Sequence, residues 1–181
     1  MANYHGIVNT MSMSCWDVDA LNIAGVYAAG DLDNGTLVTL KNIAKVDETG
    51  AITGFEYVVE PADENATNVW LVASPEVGKT LEMQIHDDIR YFYNEAGKPM
   101  SVKGFIPGID CVELDAKAFA NGTLPVVGNI GQLCGVAANG KFAAPAATVA
   151  TGAAFRVEGF HSITCGADEV VTVVLRCMKN A

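Results

Sequence analysis

Residues 169–177 read EVVTVVLRC. Six of these nine residues are apolar and four are valine. A short, nearly continuous run of β-branched side chains suits a strand covered on both faces; an amphipathic helix would carry a polar stripe. We therefore expect a central, buried strand here. Working outward, AFRVEGFHSIT (154–164) reads as another strand, and similar signals recur upstream. They are VYAA (26–29), TLVTL (36–40), GFEYVVE (54–60), NVWLVA (68–73), SVKGFI (101–106), CVEL (111–114), LPVV (124–127) and GQLCGVA (131–137). Gly, Asp, Asn and Pro clusters such as DETG, PADENAT, NEAGKP and PGID separate them. Roughly ten short strands at this spacing, without βαβ alternation, predict a mainly β chain folded as a compact barrel or sandwich.

Helix signals are few. Asp17 can cap a short helix through Leu21 to Ile23, and Asp115 another over AKAFA (116–120), ended by Asn121-Gly122. TLEMQIHDDIRYFY (80–93) fits either a helical face or a strand pair turning near His86-Asp87-Asp88. The aromatic IRYFY favours the strands. The Ala-rich 142–154 contains Pro145, Thr148, Val149 and Thr151, which predicts an extended segment.

The chain has 181 residues, half of them apolar, and folding at this length buries roughly 70% of the extended chain's surface. Only 18% of residues are charged, and the net charge is −10 with pI near 4.6. This balance opposes direct nucleic-acid binding and attachment to an anionic membrane. The five cysteines form no CxxC pair, so we expect reduced, packed thiols and no zinc knuckle. The start, MANYHGIVNTMSMSCW, lacks the pattern of a signal peptide, and no apolar run reaches transmembrane length.

Residues 1–16 read as an extended N-terminal arm, and 17–181 as a β-rich domain that can be divided into halves 17–80 and 81–181. The arm carries Tyr4, Ile7, Val8, Met11, Met13 and Trp16. That apolar content predicts contact with another surface. One repeat stands out: NGTLVTLKNI (34–43) and NGTLPVVGNI (121–130) share six of ten positions. Each Gly offers positive φ before a strand, so the pair reads mainly as a twice-used turn–strand–turn device, with a pseudo-duplicated barrel as the other reading.

Motifs for chemistry are sparse. ASPEVGKT (73–80) follows an apolar strand and matches a relaxed phosphate-loop pattern with Lys79 at the outer phosphates. Pro75 removes an N–H from that cradle and Glu76 puts a negative charge in it, so a turn is the simpler reading. His86-Asp87-Asp88 as a metal site, Asp31, Asp33, Asp47 and Glu48 as a Ca²⁺ site, and Cys111, Cys134 or Cys165 with His161 as a nucleophile pair each compete with a solvated turn or a packed thiol. Trp16, Trp70 and Tyr91-Phe92-Tyr93 fit either a sugar-stacking face or a core. With no acid–base or metal constellation converging, we expect a non-enzymatic structural or binding protein without cofactor or metal.

The order of parts resembles a family. An apolar arm, AAGDLDNGTLVTL (28–40), NVWLVASPEV (68–77), an aromatic segment, AGKPMSVKGFIPGIDCVELDAKAF (96–119) and an apolar C-terminal strand together are similar to capsid decoration, or cement, proteins of tailed phages. The resemblance implies a virion protein on the outer capsid surface, made in the host bacterial cytoplasm. Its partner would be the major capsid protein, whose subunits it bridges to stabilise the mature head. It also implies a homo-oligomer, with a trimer among the candidates, and makes the arm residues named above the capsid contacts. The alternatives are a carbohydrate- or host-surface-binding module like a head fibre, and a nucleotide enzyme using Lys79.

Overall fold

The computed structural model describes residues 4–52, 54–77, 81, 85 and 88–181. Twelve strands run through them in chain order: β1 Val8–Asn9, β2 Asn22–Val26, β3 Leu37–Ile43, β4 Tyr57–Pro61, β5 Trp70–Val72, β6 Pro99–Lys103, β7 Cys111–Leu114, β8 Leu133–Cys134, β9 Val136–Ala137, β10 Lys141–Phe142, β11 Ala154–Cys165 and β12 Asp168–Lys179. The fold is mainly β, as the patterning predicts. β2-β4-β3-β5-β6 close into a five-stranded barrel. β1-β7-β12-β11-β8 form a five-stranded sheet, and β9 and β10 pair as a small ribbon. Only β2 and β4 run parallel; the other ladders are antiparallel.

EVVTVVLRC lies within β12, third of the five strands, between β7 and β11. Thr172, Val173, Leu175 and Cys177 are buried. The main core gathers Leu37, Leu71, Phe105, Leu114, Phe142, Phe155, Val173 and Leu175, with Phe142 edge-on to Phe155 at 5.0 Å. A smaller core of Val38, Val59, Val72, Met100 and Val102 fills the barrel. The last barrel strand, β6, lies beyond residue 80, and β1 of the arm joins the sheet of the C-terminal half. Neither 17–80 nor 81–181 is a closed unit by itself.

Several local expectations are corrected. The expected helices are single 3-10 turns. At Ala116–Ala118 Asp115 does cap, accepting from Lys117 N–H, but Phe119 is already extended and packs on Phe142. Asp19–Leu21 follows Val18 and has no side-chain cap; Asp17 instead closes the preceding turn, Ser14–Trp16. Ile89–Tyr91 is also a 3-10 turn and not a strand, because Asp88 caps it at Arg90 N–H. Leu81 and Ile85 have helical backbone, while the remainder of 80–87 lies outside the described residues. The strand expected at VYAA begins earlier, at Asn22. LPVV forms no strand: Pro125 removes a donor, and Val127–Asn129 turns with Asn129 Oδ1 accepting from Val126 N–H. The two decapeptides therefore diverge after a shared start. Gly35 and Gly122 both have positive φ, 87° and 64°, but only the first copy continues into a strand.

The extended arm is corrected as well. Residues 4–16 fold onto their own chain. Val8 pairs with Leu114 and Asn9 with Glu113 at one edge of the sheet. Ile7 and Met13 are 1% and 3% exposed, and each such burial is worth about 1.5–3 kcal/mol. Asp110, fully buried, accepts from Ser14 N–H at 2.7 Å, Ser14 Oγ–H at 2.6 Å and Ile106 N–H at 2.7 Å. That single carboxylate ties the arm to the turn between β6 and β7.

Candidate functional site

The six arm residues differ in their surroundings. Ile7 and Met13 belong to the core, where their side chains supply the burial that docks the arm. Tyr4 is engaged internally: its ring meets Tyr91 edge-on at 5.4 Å and lies 4.2 Å from the Arg90 guanidinium. Arg90 is itself held by Asp88 at 2.6 Å and Asp168 at 2.8 Å. Val8 is half-buried in β1. Met11 and Trp16 face solvent, at 85% and 58% exposure. The Trp16 ring is fixed by Nε1–H donating to Thr10 O at 2.8 Å and by Lys103 Nζ 4.6 Å from its centroid.

Met11, Trp16, Ile7 and Val8 form one wall of an open groove of about 350 Å³. Ala73–Glu76, leaving β5, form another, and Ile89 and Ile163 of β11 complete the apolar lining. Gly6 permits the wall to sit this close: a Cβ there would lie 2.6 Å from Asn34 O. The facing loop is held by the first decapeptide. Buried Asn34 accepts from Ser74 N–H and donates to Ser74 O, both at 3.0 Å, and Asn94 Nδ2 donates to Asn34 Oδ1 at 3.1 Å. Asn34 Nδ2 also reaches Glu76 Oε1 at 3.4 Å. Burial in the groove pushes the Glu76 carboxyl up to about 7, and this amide contact only partly offsets it. Read from sequence, Glu76 weighs only against a phosphate cradle; its place beside the arm depends on tertiary pairing that no local pattern reveals.

The other candidates are dispersed. Gly78, Lys79 and Thr80 of the phosphate-loop match, and His86 and Asp87, lie outside the described residues. Asp31 accepts from Ala96 N–H, Asp33 pairs with His5 at 2.8 Å, and Asp47 closes its own turn at Thr49 and Ala51. Among the described residues no group of three or more His, Cys, Asp or Glu is arranged to hold a metal ion. His161 is exposed and bonded to Glu113 at 2.8 Å, while Cys165 is buried and burial raises its thiol pKa. No hydrogen bond among the described residues joins His161 to Cys111, Cys134 or Cys165. Trp70 is half-buried above Gly104 and lines a shallow groove with Leu21, Phe105 and Pro107. No helix among the described residues is long and apolar enough to cross a membrane.

Comparison with known proteins matches the chain to no family model, no curated protein and no solved structure.

Proposed function

We propose that this chain is a non-enzymatic structural protein that docks on the outer surface of a tailed-phage capsid, bridges major capsid subunits and stabilises the mature head. The resemblance in the order of its sequence motifs supplies the partner. The observation that carries a docking role is the groove wall. Met11 and Trp16 stand exposed on a segment that Ile7, Met13 and Asp110 fasten rigidly to the domain. An apolar surface presented on a fixed frame loses little conformational entropy on binding. Many copies on one shell, whether single chains or trimers, would add individually weak contacts by avidity.

The test is cosedimentation of the purified chain with mature capsids that lack it, followed by thermal disruption of those capsids. Binding with a raised disruption temperature supports the proposal; capsids that neither bind the chain nor gain stability refute it. Glycan-array binding that disappears in Trp70→Ala would favour the carbohydrate-binding alternative. ATP–Mg²⁺ binding that disappears in Lys79→Ala would favour the nucleotide enzyme.

A further inference from the structure

The docking groove has one polar feature that an apolar partner would leave unmatched. Glu76 lies among Ile7, Met11, Trp16, Ile89 and Ile163, and its one hydrogen-bonding contact among the described residues is Asn34 Nδ2 at 3.4 Å. Asn34 cannot turn to serve it better, since both ends of its amide are committed to Ser74 and Asn94. The described cations next to the groove are committed too. Arg90 is bound by Asp88 and Asp168 and lies against Tyr4. Buried Lys103 is turned to Asn22, Ser101 and the ring of Trp16.

A half-buried carboxylate with no cation among its described neighbours is costly, and a guest ammonium or guanidinium removes that cost through a short, charge-assisted hydrogen bond. The walls suit the rest of such a guest, because the side chains of Met11, Ile89 and Ile163 offer apolar surface along which a methylene stem can lie. A purely apolar guest would bury the carboxylate unpaired. An acidic one would meet both Glu76 and a chain of net charge −10.

Resting on the reading of this groove as a docking surface, we propose that it receives a lysine or arginine side chain projecting from an otherwise apolar partner segment, with Glu76 as the counter-ion. The experiment uses the full chain, labelled with ¹⁵N, and three peptides: acetyl-Val-Ile-Lys-Ile-Val-amide and its Gln and Glu counterparts at the central position. Amide shifts of Asn34, Ser74 and Glu76 report binding. The lysine peptide is expected to bind about tenfold more tightly than the glutamine peptide, and the glutamate peptide most weakly. Glu76→Gln is expected to abolish the lysine preference while leaving the fold intact. Equal affinities for the three peptides, a lysine preference that survives Glu76→Gln, or no saturable binding of any peptide would overturn the proposal. Capsid cosedimentation of the same variant separates this proposal from the virion reading. If Glu76→Gln binds capsids as well as the parent does while Met11→Asp does not, docking stands and the lysine site falls. If the peptides show the lysine preference and capsids ignore the parent chain, the site stands and the virion reading falls.

Discussion

Replacing Glu76 by Gln is expected to stabilise the free chain above neutral pH and to leave it nearly unchanged in acid. Burial raises the Glu76 carboxyl from its ordinary 4.5 to about 7. Below pH 4.5 the group is protonated in both the folded and unfolded chains, and its contribution to stability is fully present. As pH rises from 4.5 to about 7, the unfolded chain releases the proton first and stability falls; above 7 the contribution is gone. At 1.36 kcal/mol per pH unit this amounts to about 3 kcal/mol, and the open side of the groove reduces it to about 2 kcal/mol. Asp115 acts in the same direction at lower pH, because burial raises it from 3.8 to about 6. Its effect is common to both proteins and cancels in the difference. Urea denaturation of the parent and the variant from pH 4 to 8 reads the difference directly. It should be near zero at pH 4 and reach about 2 kcal/mol at pH 8, or about 5 °C in melting temperature. Parallel stability profiles would refute the account of Glu76 as a carboxylate desolvated by burial.

Further outcomes concern the arm, the thiols and the docking face. Asp110→Ala removes three hydrogen bonds to a buried carboxylate and should cost roughly 3–5 kcal/mol, with hydrogen exchange accelerated first at residues 12–16. Gly6→Ala forces a Cβ against Asn34 O and should cost about 2 kcal/mol while disturbing the Ser74 amide resonance, which a proton–nitrogen spectrum would show. Of the five thiols, only half-exposed Cys111 should react rapidly with DTNB in the native protein; Cys134 and Cys177 are buried, with burial raising both to about 12. Met11→Asp lies on open surface, so its denaturation stability should stay within about 0.5 kcal/mol of the parent; under the proposed docking role the same variant loses binding to capsids in cosedimentation.

The strands were legible where local pattern and tertiary burial agree. Valine-rich 169–177 signals a central strand and occupies the centre of the sheet, although its first part is open, with Val171 56% exposed, and CVEL is β7 residue for residue. The misreadings fall where a side chain captures a backbone group. Asp88 converts the β-favouring IRYFY into a capped turn, and Asn129 does the same beyond Pro125. The site was half legible. Apolar arm residues announce themselves by composition, but which are core and which are surface depends on pairing with β7, more than a hundred residues away. Asn34 is a similar case. As half of a repeated NGTL it signals turn geometry, yet in the fold it holds the loop that carries Glu76. Its counterpart Asn121 is exposed, and its side-chain Oδ1 accepts from Thr123 N–H, two residues on.

The pairing of β1 with β7, and of β7 with β12, also governs when the molecule can form. The arm leaves the ribosome long before the strand it joins, and that strand's own neighbour, Val173–Arg176, is made later still. At about 5–20 residues per second the interval is on the order of 10–30 s. Throughout it Ile7 and Met13, buried in the finished fold, have no shelter from the sheet. The nascent chain thus carries an undocked apolar arm until β12 has been made, and the arm is a natural holding point for a chaperone over that interval.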